Sequence, residues 1–186
     1  MEAPGFKTVH YSKTTLTELM IPSYANFGGK IHGGILLSLM DKVAYVCAAK
    51  HAGNYCVTAS IDNVDFLAPV EVGELVSLKA SVNYTGTSSL IVGIRVTSEN
   101  VKTQAIKHTN TSYFTMVAVD ERHKVVKVPG LILETNEEVR RFAEAKQRKE
   151  LRKLHNESLK KIKTSQELEH YKELLKNEHC TVSIKF

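Results

Sequence analysis

Asn26-Phe-Gly-Gly-Lys-Ile-His-Gly-Gly-Ile-Leu-Leu-Ser-Leu-Met-Asp-Lys-Val-Ala-Tyr-Val-Cys-Ala-Ala-Lys50 runs from a glycine-rich turn straight into an apolar stretch. From Gly33 to about His51 the pattern predicts a helix. Ile35, Leu36, Leu37, Leu39, Met40, Val43, Ala44, Val46, Cys47, Ala48 and Ala49 occupy nearly every side of it. A helix without a polar face is expected to be buried. One carboxylate, Asp41, interrupts it. A buried carboxylate is costly unless it is paired or put to use. The reading therefore turns on what Asp41 is for.

The 186 residues allow one domain with a substantial core plus an appendage. Hydrophobic content of 42% and charged content of 24% are those of a globular chain. The net charge of +5 is modest, and most bases are interleaved with acids, so no nucleic-acid partner is expected. No apolar run reaches the ~20 residues of a membrane span, and stable membrane insertion is not expected. The N-terminal Met-Glu-Ala-Pro-Gly-Phe-Lys lacks the apolar core of a signal peptide. Cys47, Cys56 and Cys180 have no metal-type spacing, and Cys47 reads as a small apolar filler. These features predict a cytoplasmic protein with reduced thiols. No His lies in a ligand-spaced cluster, so no metal site is expected.

Outward from the central helix, residues 8–20 are rich in Thr and Val and read as a strand ended by Pro22 and Ser23. Gly53-Asn54 stops the helix. Four strand-like runs follow: Cys56–Leu67, with a bulge expected between Ile61 and Val64, then Leu75–Tyr84, Ser89–Ser98 and Ala105–Val119. Thr85-Gly86-Thr87-Ser88 supplies a hairpin-like turn. The order predicts an α+β fold, an antiparallel sheet wrapped around one helix. Composition shifts at Glu134, which divides the chain into a domain over 1–133 and a charged helical extension over 134–186. Thr135 and Glu138 have capping-box spacing. Val139, Phe142, Leu151, Leu154, Ile162, Leu168, Tyr171 and Leu175 recur at three- and four-residue steps, with a break expected near Thr164-Ser165. A continuous helix there is roughly 65 Å long. It is expected to lie on the domain, pack on another copy or project. A solvated helix on an oligomer is favoured over a membrane-surface element, because acids nearly match bases.

The amides of Gly33 and Gly34 belong to the first helical turn, where unpaired N–H groups meet the positive end of the dipole. They suit a polarised carbonyl or a developing oxyanion; equally, the glycines permit close packing on the sheet. Asp41, flanked by Ser38 and Tyr45, has two readings. One is a structural carboxylate bonded by Tyr45 or a neighbouring chain. The other is a general base or nucleophile. Asp41 and Gly34 stand ~10 Å apart along one helix. One copy therefore does not place both on one carbonyl, whereas two antiparallel copies can pair Gly34 of one with Asp41 of the other. Asn26 is a turn former or a donor to a carbonyl or water; His32 is a base or a cap. Gly86, Thr87, Ser88 and Ser89 form a turn whose backbone N–H groups suit a polar ligand.

Four blocks together resemble one family. They are Asn26-x-x-Gly29-x-Ile31-His32-Gly33-Gly34-x(5)-Met40-Asp41; Val57 to Gly73; the Gly86–Ser89 turn; and Tyr113 to Asp120. In order and spacing they are similar to hotdog-fold acyl-CoA thioesterases of the brain acyl-CoA hydrolase type, over roughly residues 10–150. The resemblance implies a hotdog fold, a homodimer that assembles further into a trimer of dimers, and hydrolysis of fatty acyl-CoA to free acid and CoA. It implies a catalytic carboxylate at Asp41, a catalytic asparagine at Asn26 and carbonyl-polarising amides at Gly33 and Gly34, with the site at the dimer interface. His32, Tyr45, Gly86, Thr87, Ser88 and Ser89 are the candidates for substrate and CoA contacts. Asp41 then activates water or attacks directly through an anhydride. No cofactor is expected, since a thioester is already an activated acyl group. Gly28 and Lys30 depart from the family's usual Asn and Asp, so the loop's charge and acyl preference are expected to differ. Two alternatives stay open: a hotdog hydratase or dehydratase using His32 with Asp41, and a non-catalytic acyl-CoA sensor.

Overall fold

The computed structural model describes residues 5–164 together with Tyr171, Leu174, Leu175, residues 178–181 and Ser183. The chain runs β1 (Phe6–Thr8), α1 (Val9–Ser12), β2 (Thr14–Leu19), a 3-10 turn (Pro22–Tyr24), α2 (Gly33–Ala52), β3 (Tyr55–Ile61), β4 (Leu75–Thr85), β5 (Ser89–Glu99), β6 (Ile106–Val119), β7 (Gly130–Ile132) and α3 (Asn136–Thr164). Five antiparallel strands form one sheet in the order β2-β4-β5-β6-β3, and β1 pairs with β7 in parallel beside it. This is the expected α+β arrangement, a sheet around one helix.

Helix α2 has well-defined ends. At its start the His32 side chain accepts from the Gly34 amide. At its end Gly53 takes φ +69, and its amide returns to the Ala49 carbonyl. The left-handed conformation there suits a residue without Cβ. Lys7 Nζ donates to the His51 carbonyl at 2.7 Å, placing a cation at the negative end of the dipole. The core forms where Leu36, Met40, Val43, Ala44 and Cys47 meet Leu78, Val82, Leu90, Val92, Phe114 and Met116, all but fully buried. Burial pushes the Cys47 thiol up to about 12 and the Cys56 thiol to about 11, so both behave as apolar filler.

Four expectations are corrected. Residues 8–20 are not one strand: α1 interrupts them, with Thr8 Oγ1 accepting from the Tyr11 amide at 3.3 Å and Ser12 buried beside His51. The strand begun at Cys56 ends at Ile61, not Leu67. Beyond it the chain keeps contact with β6 through the Asp62 amide to Tyr113 and the Leu67 amide to Thr109. The bulge falls at Ala59, between the Thr58 and Ser60 pairings, rather than after Ile61. Finally, α2 is not buried all round. Asp41, Lys42, Tyr45 and Val46 are exposed, because the sheet curls over one side of the helix and stops at β3.

The compact unit containing the sheet extends to Lys146, past the composition change at residue 134. Within it, the Glu138 amide donates to Thr135 Oγ1 at 3.2 Å, as the capping box predicts. The reciprocal arm reaches one residue further back: Glu138 Oε2 accepts from the Glu134 amide at 2.8 Å. The Phe142 ring meets Tyr84 at 5.0 Å between centroids, and Lys13 pairs with Glu138 at 3.6 Å. The second unit, from Gln147 on, holds the rest of α3, where Leu151, Leu154 and Ile162 are exposed. The expected break near Thr164-Ser165 and the Leu168 position lie on or beyond the edge of the described residues.

Candidate active site

The site is built around the start and middle of α2. Loop 24–32 delivers its first component. The Asn26 amide donates to the Lys30 carbonyl at 2.7 Å and the Gly29 amide to the Asn26 carbonyl at 3.0 Å, closing a tight turn with Gly29 at φ +75. Asn26 Oδ1 accepts from the Gly28 amide at 2.9 Å and the Lys30 amide at 3.2 Å. Its carbonyl end is thus fixed, and its NH2 end is the part left to address a ligand. A Cβ at position 28 would stand 3.3 Å from Asn26 Oδ1, tight enough to press on this side chain. Ala25, Asn26, Phe27, Gly28, Lys30 and His32 line an open hollow of about 740 Å³. Lys30, one of the two departures, pairs with Glu71 at 2.5 Å, so its charge is met within the loop's own surroundings.

The two glycine amides differ. Gly34 donates to His32 Nδ1 at 2.9 Å. His32 is therefore a cap, with its proton on Nε2, and the neutral ring's one lone pair is occupied. The Gly33 amide is left as the donor at the positive end of the helix. The half-exposed Phe66 ring packs against Gly33: a Cβ at position 33 would stand 3.2 Å from Phe66 Cζ. Both glycines are thus also required sterically, by the two rings packed against them.

Asp41 is exposed on the uncovered side of α2. Its partner is Thr58, whose hydroxyl donates to Asp41 Oδ1 at 2.6 Å and lies 3.4 Å from Met116 Sδ. Tyr45 is not that partner; its ring tilts against Tyr55 at 5.6 Å between centroids. Thr58 and Phe66 are additions to the candidate set. Thr58 follows the buried Cys56 by two residues and so shares the helix-facing side of β3, whereas the apolar alternation Val57, Ala59, Ile61 marked the opposite side. Phe66 lies outside regular structure, where no periodicity marks a side chain's direction.

Gly33 opens α2, with the Asn26 loop just before it, and Asp41 follows Gly33 by just over two turns, about 12 Å along the helix. The Gly86–Ser89 turn is set further off. Ser89 and Val57 pair with Val117 from opposite sides, so the turn stands two strands, about 10 Å, from β3. The Gly86 amide closes the turn on the Ser89 carbonyl, while the Thr87 and Ser88 carbonyls accept from Val128 and Ala118. The Gly86 amide and the turn's carbonyls are thus engaged in holding the turn together and to the sheet.

Comparison with known proteins fits this geometry. The thioesterase superfamily matches residues 28–105. The chain is 46% identical over 145 residues to protein VdlD of Helicobacter pylori, covering 78% of this chain and 83% of VdlD. It is 36% identical over 162 residues to YkhA of Bacillus subtilis, an uncharacterised acyl-CoA thioester hydrolase, covering 86% of this chain and 94% of YkhA. Among solved structures, an apo-hexameric acyl-CoA thioesterase superposes with a TM-score of 0.79 at 41% identity, covering 82% of this chain and 97% of that one. The acyl-CoA hydrolase of Staphylococcus aureus in complex with butyryl-CoA, CoA and CoA disulfide gives 0.77 at 35% identity, covering 85% and 97%. Structures of that enzyme also exist with an asparagine, an aspartate or a threonine changed to alanine. Those three positions are 15 and 17 residues apart, the spacing of Asn26, Asp41 and Thr58 here.

Proposed function

The chain belongs to the thioesterase superfamily, among its acyl-CoA thioester hydrolases, and from that premise we propose that it hydrolyses fatty acyl-CoA to free fatty acid and CoA at a site shared by two copies of the chain. The observation that carries the proposal is the Asp41 carboxylate, exposed on α2, oriented by Thr58, and two helical turns from the Asn26–Gly33 donors. The thioester oxygen sits at the Gly33 amide, with the Asn26 NH2 group polarising it or holding water. Asp41 of the second copy takes a proton from that water as its oxygen adds to the acyl carbon. The carbon–sulfur bond then breaks, and the CoA sulfur recovers the proton. Dipoles aimed at developing negative charge act most strongly where water is thinned out, and Phe66 thins it over Gly33.

The second copy is supported by the surface around Asp41. Strand β3 has one neighbour in the sheet, β6, and its other edge is open. Tyr45, Val46, Tyr55, Val57 and Ile61 are exposed beside that edge. Edge-to-edge pairing of two β3 strands covers this surface and brings the two α2 helices antiparallel. Further assembly into a trimer of dimers is in keeping with the hexameric relative. The hydratase reading loses its base, because the His32 lone pair is taken by Gly34. His32 supports the site as a cap, Tyr45 as part of the dimer face, and the Gly86–Ser89 turn as a contact for the CoA portion.

Subunit complementation tests the shared site. Asn26→Ala and Asp41→Ala are each expected to retain a residual turnover about a hundredfold or more below wild type with butyryl-CoA. Mixed and reassembled, they are expected to regain about a quarter of wild-type turnover, since half the dimers are then mixed and carry one intact site. No recovery from mixed dimers overturns the shared site; full activity of either single variant overturns the assignment of that residue.

A further inference from the structure

We propose that Glu74 is a positioning residue for Asn26, acting through a chain of contacts from the sheet interior to the loop before α2. The inference rests on the reading of Asn26 as a donor to the reacting carbonyl or water.

Loop 26–30 is exposed at every residue, and Phe27 lies wholly in solvent. Such a loop has little packing of its own to hold a side chain to the fraction of an ångström that catalysis requires. What holds it is the segment before β4. The Ile31 amide donates to the Val70 carbonyl at 2.9 Å, and Lys30 forms a β-bridge and an ion pair with Glu71. The Lys30 amide in turn fixes Asn26 Oδ1, and the Lys30 carbonyl receives the Asn26 amide. The direction of the Asn26 NH2 group therefore follows from where the backbone at 70–71 is held.

Glu74 holds it. This carboxylate is 5% exposed. Oε2 accepts from the Glu71 amide at 3.0 Å and from Ser98 Oγ at 2.6 Å; Oε1 faces Lys107 Nζ at 2.9 Å. Its backbone carbonyl accepts from the Met20 amide, and the Gly73 amide returns to the Met20 carbonyl, which pins the turn to the end of β2. Burial pushes the Glu74 carboxyl up, but the Glu71 amide, Ser98 and Lys107 outweigh it and hold it below the usual carboxylate range. A buried carboxylate satisfied in this way is rigid. Three hydrogen-bonded steps lead from it to Asn26: Glu74 to Glu71, Glu71 to Lys30, Lys30 to Asn26.

A double-mutant cycle tests the inference. Glu74→Gln keeps the volume but cannot accept all three donors. It is expected to lower kcat with butyryl-CoA about tenfold while KM changes less than about threefold. In the Asn26→Ala background the same substitution is expected to lower the residual kcat less than about twofold, because the group it positions is gone. An equal fold-loss in both backgrounds, or an unchanged kcat, overturns the inference in favour of a structural role alone. If Glu74→Gln does not fold, Ser98→Ala removes one of the three donors, with an expected loss of about threefold under the same criteria. Wild-type turnover by Asn26→Ala alone overturns the reading of Asn26, a result separate from failure of the cycle.

Discussion

Asp41 and Glu74 are both hydrogen-bonded carboxylates, and the chain treats them oppositely. Glu74 is buried and accepts from Glu71, Ser98 and Lys107. Asp41 is exposed and accepts from Thr58. A carboxylate has about four lone-pair sites. Where most are filled the group is fixed and holds structure; where they are left over, the group has capacity for a substrate or a proton. The sites of chemistry in this chain are thus found by what remains unfilled, and its supports by what is saturated. The histidines at the two ends of α2 repeat the contrast. His32 is exposed at the start of α2, while His51 is fully buried at its end, between Ser12 at 3.5 Å and the Pro129 carbonyl at 3.2 Å.

The sharpest way to break the contrast is Asp41→Asn. The expected result is a loss of about 10³-fold in kcat, followed by thiol release, with the oligomer and Tm retained because Asp41 supports little else. Undiminished turnover would show that Asp41 is as structural as Glu74. Next in size is Thr58→Ala, expected to lower kcat about tenfold by freeing the carboxylate, with Thr58→Ser restoring most of it. A Thr58→Ser variant as slow as Thr58→Ala would mean that the methyl group, not the hydroxyl, matters.

A smaller effect is expected in stability. Burial pulls the His51 pKa down, against the Pro129 carbonyl, which favours the proton, and with Lys7 adding to the depression. The unfolded chain therefore binds a proton more readily than the folded one. The contribution of neutral His51 is complete above its unfolded pKa of about 6.5 and is lost as pH falls below it. Tm is expected to decline between pH 7 and 5, and His51→Gln to flatten that slope. An unaltered slope in the variant would remove His51 from the saturated class.

Smallest is Arg140→Ala. Arg140 pairs with Glu137 and Glu144 on an exposed face of α3, and with Arg141 it brings the Glu137 carboxyl down to about 2. Solvent screens such pairs strongly, so no resolvable change in Tm or kcat is expected by calorimetry and steady-state assay.

Much of this was readable before folding. The bounds of α2 followed from His32-Gly33 and Gly53, since capping and left-handed backbone are local properties. Strands β4, β5 and β6 fell within a residue of their expected ends, because turn residues bound them: Gly73, Gly86 to Ser88, Glu99-Asn100 and Asp120-Glu121. The interruption at Val9–Ser12 was not readable: Thr and Val favour strand, and what overrides them is Ser12 packing on His51, 39 residues away. Thr58 as the partner of Asp41 was missed for a similar reason. Spacing puts Tyr45 on the same side of the helix, but the Tyr45 ring turns to Tyr55, and Thr58 arrives from β3.

By itself the sequence determined which residue types stand at which intervals: a turn with Asn26, amides at a helix start, a carboxylate two turns later. It also determined that these are about 10 Å apart on one helix, because α-helical rise per residue is invariant. Only the tertiary structure decided how each polar group is filled. His32 takes the Gly34 amide, Thr58 reaches Asp41, Phe66 packs on Gly33, and Glu74 is buried at the start of β4 against Ser98 and Lys107. Hydrogen-bond partners distant along the chain are set by packing, and packing is a property of the whole fold rather than of any stretch within it.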